Sequence, residues 1–216
     1  MKLVKVLILT VSFTVLLLSS SSIAVANVTS MYVTPDWQQV DKGDIFNVDI
    51  GLNNSDSTVL DTVLSWLSYD PSKLEVQDSN SGQAGIQILN DPLGLYGFNF
   101  HMVNSVDPLS GKIDFEEGFQ SGGSTNATGT FARITFKALD LTSSTPLVFN
   151  FDTWGFTPTT AVLRGGNDVL AFSNDHADGA FGGNIAVVPE PGSLILFLSG
   201  LSGTAFFIRK KKSDNS

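Results

Sequence analysis

The sequence predicts an all-β protein whose main domain is a jelly-roll β-sandwich of about nine strands. Apolar residues recur with a period of two in segment after segment, and 16 phenylalanines are available to fill a core. Reversals rich in Gly, Pro, Asn and Asp separate these segments. No stretch shows the 3.6-residue period of a convincing amphipathic helix. A closed barrel is the alternative, because both architectures share the period of two.

The alternating segments follow one another through the middle of the chain. Strands are predicted at residues 30–34, 46–52, 60–69, 86–89, 96–102, 113–119, 130–139, 147–151, 169–172 and 181–187. In the fifth of these, every second residue from Tyr96 to Met102 is apolar, which places His101 on the opposite, polar face. No internal repeat is visible, so the segments form one domain, predicted at residues 27–186.

Residues 1–26 have the three-part layout of a secretory signal peptide. Two lysines precede an apolar run at residues 6–18, and the small residues Ala24 and Ala26 stand where a signal peptidase must accept them. Cleavage after Ala26 is therefore predicted. The alternative of an uncleaved anchor is disfavoured because the apolar run is too short to span a bilayer comfortably.

The C-terminal end, residues 187–212, has a different layout. Pro189, Glu190 and Pro191 precede an uncharged apolar stretch at residues 192–208. A basic tail follows at once: Arg209, Lys210, Lys211 and Lys212. A helix over the apolar stretch would cover roughly 25 Å, enough for one transmembrane passage through a thin bilayer. Basic residues stay on the cytoplasmic side, so the domain is expected outside the cytoplasm.

This order of Pro-Glu-Pro, apolar span and basic terminus resembles the PEP-CTERM sorting signal of Gram-negative bacteria. The resemblance implies processing by an exosortase-type membrane protease that recognises Pro189, Glu190 and Pro191. A plain single-pass anchor is the alternative. The protein is then expected to be exported, held at least transiently in the inner membrane, and displayed at the cell surface or released into the extracellular matrix.

The domain between the two ends is strongly acidic and lacks cysteine. Its six basic and 19 acidic residues give a net charge of −13. Such a surface disfavours nucleic acid and leaves divalent cations, basic proteins or neutral glycans as partners. The absence of cysteine excludes thiol catalysis, iron–sulfur clusters and cysteine zinc sites.

The remaining polar residues do not predict an enzyme. Glu116 and Glu117 are adjacent, so on a strand they point to opposite faces and cannot flank one glycosidic bond. No nucleophile elbow or phosphate loop is present. Asp175 and Asp178 are weak metal candidates, because Ile185 occupies the position where an EF-hand loop needs its glutamate. We therefore predict no cofactor, with calcium at these two residues as a weak alternative.

Three tryptophans are candidates for a sugar-stacking platform, provided that two of them lie exposed on one face. Trp66 lies between leucines, which favours burial. Trp154 stands at the end of a predicted strand and is the best candidate carbohydrate contact.

Two motifs carry a resemblance to a known family. Gly43-Asp44 opens the strand at residues 46–52, and Tyr69-Asp70-Pro71 followed by Leu74 forms a turn between two apolar segments. Together with the segment at residues 129–139, they resemble a cohesin domain. Cohesins are nine-stranded sandwiches, related to carbohydrate-binding modules, that bind dockerin domains through a flat sheet face.

The resemblance implies a non-enzymatic binding module with a dockerin-like protein as its partner. Carbohydrate binding or a structural role in an extracellular polysaccharide matrix is the alternative.

Overall fold

The computed structural model describes residues 29–54, 57–151, 160–170 and 180–190, and every regular element in these ranges is a strand. The strands are β1 (Thr29–Thr34), β2 (Trp37–Asp41), β3 (Ile45–Asn54), β4 (Thr62–Ser68), β5 (Leu74–Val76), β6 (Leu89–Asn90), β7 (Phe100–Asp107), β8 (Lys112–Gly118), β9 (Gly129–Ala138), β10 (Thr142–Phe149), β11 (Ala161–Arg164), β12 (Asn167–Asp168), β13 (Ala180–Phe181) and β14 (Gly183–Val188). Within these ranges, we find no helix with the length and apolar character that a membrane crossing requires. The predicted signal peptide and the predicted span at residues 192–208 lie outside them.

The strands form two sheets that pack as a sandwich. The first sheet has the order β13-β1-β3-β9-β5, with β6 also paired to β9. The second has the order β12-β11-β4-β10-β14-β2, and its strand β4 also pairs with β8, which in turn pairs with β7. Consecutive strands β1 and β2 belong to different sheets, so the chain crosses between the layers. The predicted sandwich is confirmed.

Alternation along the strands builds the core between the sheets. In β4, Val63, Ser65 and Leu67 are buried while their neighbours are half-buried on the other side. Phenylalanines from both sheets meet in the middle, with the ring centroids of Phe115 and Phe131 5.9 Å apart. Each fully buried side chain of this size stabilises the fold by about 1.5–3 kcal/mol.

The turn after β4 is held by local hydrogen bonds and by contact with the neighbouring hairpin. The backbone N–H and the hydroxyl of Ser72 both donate to Asp70 Oδ1, at 2.9 and 2.7 Å, and these bonds lower the pKa of Asp70. The N–H of Tyr69 donates to the carbonyl of Gly111, at 2.8 Å. Gly111 has a φ of +65°, in the left-handed region that favours glycine.

The edge strand β7 departs from the predicted alternation. Tyr96 and Phe98 are buried as predicted, but they precede the strand, and Phe100 and Met102 are exposed. The reason is the register: Phe100 pairs with Gly118 on the outer side of β8, and an irregularity follows between His101 and Val103. Alternation in the sequence cannot reveal where such an irregularity falls.

The free edge of β7 is covered by the preceding segment. Asn104 accepts a hydrogen bond from Ile88 N at 2.9 Å through Oδ1, and donates to Ile88 O at 2.8 Å through Nδ2. Val106 N also donates to the carbonyl of Ile86, at 3.1 Å. The side chain of Asn104 thus takes the place of a strand neighbour and satisfies backbone groups that would otherwise be left unpaired.

The last described strand, β14, lies inside the second sheet. It pairs antiparallel with β10 and parallel with β2. At its end, Lys42 N donates to the carbonyl of Val188 at 2.9 Å. Pro189 and Glu190 therefore follow directly on a strand that is held on both sides.

Candidate functional site

The outer side of β7, β8 and β4 forms a surface of cross-strand rows. One row runs from Val103 through Glu116 to Leu64, and the next from Ser105 through Asp114 to Trp66. A third row holds Asp107, Lys112 and Ser68. Directly paired residues of antiparallel strands point to the same side, so these nine side chains share one surface. We call it the β7–β8–β4 face.

Two carboxylates lie in the middle of this face without a salt bridge. Asp114 and Glu116 are half-buried, and none of the described ion pairs involves either of them. Burial raises the pKa of Asp114, and burial together with the charge on Asp114 raises the pKa of Glu116. Both groups are therefore costly to ionise in the unbound protein, and a cation placed near them would remove that cost.

Apolar side chains surround the carboxylates. Leu64 and Trp66 are half-buried, and the ammonium of Lys112 lies 5.6 Å from the centre of the Trp66 ring. The patch extends to Phe100, which is 46% exposed, and to Val148 on the neighbouring strand β10, which is 45% exposed. The face thus mixes apolar side chains with charged and polar ones, and a protein partner could meet it with both kinds of contact.

The outer side of the first sheet has the opposite character. Arg133 donates twice to Asp49, from Nε to Oδ1 at 2.6 Å and from Nη2 to Oδ2 at 2.9 Å. The hydroxyl of Thr135 donates to Asn47 Oδ1 at 2.9 Å. These four polar groups are already paired within the sheet. The β7–β8–β4 face is therefore the better candidate for contact with a partner.

Comparison with known proteins identifies the family of the domain. A sequence model of the cohesin domain matches residues 31–162, more than half of the chain. The chain belongs to the cohesin family. Cohesin domains are non-enzymatic binding modules, in agreement with the prediction from sequence.

Solved cohesins have the same fold at low sequence identity. The solution structure of CaCohA2 from Clostridium acetobutylicum has a TM-score of 0.52 and 19% identity, over 74% of this chain and 91% of that one. A type I cohesin–dockerin complex of Clostridium thermocellum, Coh-OlpC with Doc435, has a TM-score of 0.51 and 14% identity, over 76% of this chain and 95% of that one. A type II cohesin from the cellulosome of Acetivibrio cellulolyticus has a TM-score of 0.51 and 17% identity, over 73% of this chain and 95% of that one. No curated protein matches the chain.

A second sequence model, of the PEP-CTERM protein-sorting motif, matches residues 187–212 of this cohesin. Such a motif indicates an exported protein that is sorted to the cell surface. The match begins within β14, so the folded domain and the sorting motif are contiguous. Of the predicted recognition residues, Pro189 and Glu190 are in the described part of the chain and Pro191 is not.

Other predicted site residues fall where the structure gives no description. These are Ala24, Ala26, Trp154, Asp175, Asp178, Arg209, Lys210, Lys211 and Lys212. In the part of the cohesin that is described, no group of three acidic or histidine side chains is arranged to hold a metal ion.

The two described tryptophans do not form one platform. Trp37 is 56% exposed on the edge strand β2, whereas Trp66 is half-buried on β4. Two strands, β14 and β10, separate β2 from β4 in the sheet order. At a strand spacing of about 4.8 Å, the two tryptophans are at least about 14 Å apart, too far to stack on one sugar ring.

The adjacent glutamates point to opposite faces, as predicted. Glu116 lies on the outer side, whereas Glu117 faces inward and is 1% exposed. His101 Nδ1 lies 2.5 Å from Glu117 Oε2, although the histidine side chain itself is 65% exposed. Burial raises the pKa of Glu117, and the contact with His101 opposes that shift. Sequence analysis missed this pair and expected only a solvated histidine, because the two residues lie on different strands.

Proposed function

We propose that this cohesin is displayed at the cell surface and captures a dockerin-like protein on the β7–β8–β4 face. The observation that carries the proposal is the pair of half-buried, unbridged carboxylates, Asp114 and Glu116, set among apolar side chains on a sheet. A folded protein with a basic and apolar contact surface would satisfy both kinds of group at once.

Electrostatics favour such a partner. The domain carries a net charge of −13, which attracts a basic surface over several ångströms and accelerates encounter. On contact, a lysine or arginine of the partner would restore the pKa values of Asp114 and Glu116 toward their usual range. The apolar side chains around them would be removed from water, as Leu64 and Trp66 already are in part.

The partner class follows from the family. The Clostridium thermocellum relative was solved as a cohesin–dockerin complex. A dockerin-like domain is therefore the first partner to test, and dockerin-bearing proteins encoded in the same genome are the natural probes.

A charge substitution on the face tests this proposal. Ser105 is exposed on the edge strand of the face, directly opposite Asp114, so Ser105→Arg would bring a cation and a bulky side chain to the contact. We expect the dissociation constant measured by calorimetry to rise about tenfold or more. Asn47→Arg, an equally exposed substitution on the first sheet, is the matched control and should change the dissociation constant by less than about twofold.

Two outcomes would contradict the assignment. Equal weakening by Ser105→Arg and Asn47→Arg would show that the partner does not use this face. Recovery of glycans but no protein, when the immobilised chain is exposed to an extract of its source organism, would show that a protein partner is the wrong class.

We further propose that the chain is exported through a signal peptide cleaved after Ala26, and that an exosortase-type protease then processes the C-terminal tail. The match to the PEP-CTERM motif supports this route. Pro189 and Glu190 follow β14 without a linker, so the protease would act close to the folded domain.

Glu190 provides the test of processing. We expect Glu190→Gln to block tail removal, because the proposed recognition sequence loses its only charge. Intact-mass measurement of the membrane and released fractions would then show the uncut chain in the membrane fraction. Glu75→Gln, at an exposed position on β5, is the control and should be processed like the parent. Unchanged tail removal in Glu190→Gln would refute the assignment.

A further inference from the structure

A cleft of about 340 Å³ opens at the edge of the sandwich, where the segment before β7 passes between the two sheets. Eight polar side chains line it: Ser79, Asn80, Gln83, Gln87, Asn90, His101, Asn104 and Glu117. Ile88 and Leu89 contribute an apolar wall. The volume lies within the range of about 300–1,000 Å³ that is typical of small-molecule sites.

The cleft is preformed by hydrogen bonds within its own walls. Gln87 Nε2 donates to Gln83 Oε1 at 2.6 Å, and Ser79 Oγ donates to Gln87 O at 2.9 Å. The side-chain amide of Asn104 forms hydrogen bonds with both the backbone N–H and the backbone carbonyl of Ile88. A site whose walls are already ordered loses little conformational entropy when it binds a ligand.

One acceptor inside the cleft lacks a donor. Asn90 Oδ1 is buried and makes no hydrogen bond with the described residues, while Asn90 Nδ2 lies 3.2 Å from His101 Nδ1. Buried polar atoms are nearly always paired, so the wall at Asn90 has hydrogen-bonding capacity that the described residues do not use. Glu117, which is almost fully buried, presents a carboxylate on the same wall.

The lining restricts the chemistry of the ligand. No lysine or arginine lines the cleft and the domain is strongly acidic, so an anion would be repelled. The carboxylate of Glu117 already contacts His101, and no cluster for a metal ion is present among the described residues. Neutral amide donors and acceptors beside a small apolar wall match a ligand that carries several hydroxyl groups.

We propose that this cleft binds a neutral saccharide unit. The ligand hydroxyls exchange hydrogen bonds with the exposed amides of Asn80 and Gln83, while a face of the sugar ring packs on Leu89. The cleft lies on the inner side of β7, whereas Val103 and Ser105 of the same strand project from the β7–β8–β4 face. Sugar and protein partner would thus bind on different sides of one strand.

Saturation-transfer NMR on the full-length chain tests the proposal. The chain is kept in a detergent without a sugar headgroup, and the probes are methyl β-D-glucopyranoside, methyl β-D-galactopyranoside and N-acetylglucosamine, with glucuronate as the charged comparison. We expect saturation transfer to at least one neutral probe. The double variant Asn80→Ala/Gln83→Ala, at exposed positions, should weaken that probe's binding about tenfold, because two hydrogen-bonding amides are lost.

The matched control is Gln39→Ala/Asn53→Ala, which removes two exposed amides outside the cleft and should leave binding within about twofold of the parent. Near-UV circular dichroism checks that the variants are folded, and Gln83→Ala alone replaces the double variant if it is not. Absence of saturation transfer to every neutral probe would overturn the proposal. Equal binding by the cleft variant and the parent, or stronger binding of glucuronate than of the neutral probes, would also overturn it.

Discussion

A single methyl group added at Gly111 should lower the stability of the fold by about 3–4 kcal/mol. A Cβ at Gly111 would lie 2.1 Å from the carbonyl oxygen of Tyr69 and 2.7 Å from Cδ of Pro71. In addition, alanine is disfavoured at a φ of +65° by about 1–2 kcal/mol. Relief of the clash must separate the two segments and lengthen the bond from Tyr69 N to Gly111 O, which contributes about 1 kcal/mol.

The displaced turn also carries a core residue. Tyr69 is buried and packs edge-on against Phe136, with the ring centroids 5.4 Å apart. Including partial loss of this packing, we expect Gly111→Ala to lower the free energy of unfolding by about 3–4 kcal/mol. With a urea m-value of about 2 kcal/mol/M, the unfolding midpoint would fall by about 1.5–2 M.

Gly94 is a matched control for the steric part of this cost. It has the same φ of +65°, but a Cβ there would have no neighbour within 4 Å. Gly94→Ala should therefore cost only the conformational penalty of about 1–2 kcal/mol. If urea unfolding gave equal losses for Gly94→Ala and Gly111→Ala, the reasoning from the contact with Tyr69 would be wrong.

Two pH-dependent predictions follow from carboxylates. Burial and the charge on Asp114 raise the pKa of Glu116, so its ionisation should weaken the fold as the pH rises above the ordinary value of 4.5. Glu116→Gln should then unfold at a higher urea concentration than the parent at pH 7 but not at pH 3, and equal midpoints at pH 7 would contradict this. Hydrogen bonds from Lys73, from the Leu141 backbone and from Lys42 lower the pKa of Asp140 to about 2. The stability that Asp140 provides is thus present above a pH of about 3.8 and is lost as the pH falls through about 2. An NMR titration of the Asp140 carboxyl group should show this low pKa. Lys73→Met should raise the pKa of Asp140, because it removes the first of these hydrogen bonds.

Most long strands were predictable because one face of each is buried. The run from Phe46 to Leu52 alternates in sequence, and in burial as far as Ile50, and it forms the middle of β3. Shorter or irregular elements were missed for identifiable reasons. The edge strand β2 has only one buried residue, Val40, and β11 has four residues with no clear alternation. Residues 169–172 are apolar enough to predict a strand, but only the first two of them are described, and of these Leu170 forms an isolated bridge with Thr29.

The candidate sites were predictable only in part, because they depend on strand register. Alternation sufficed to place Glu116 and Glu117 on opposite faces. It did not reveal that His101 contacts Glu117, since that contact depends on the irregularity between His101 and Val103. Nor does any local pattern bring Asn90 to the same cleft, because it reaches the site from a strand of the other sheet.

The position of β14 between β10 and β2 has a mechanical consequence. A pull on the C-terminal end of the domain reaches β14 first, because the sorting motif begins at the end of that strand. An edge strand would peel away one hydrogen bond at a time. Since β14 is paired on both sides, a pull on Pro189 is distributed over its bonds to both neighbours, including that between Lys42 N and Val188 O. The domain should therefore unfold slowly under load, in the regime where resistance to force is set by the unfolding rate.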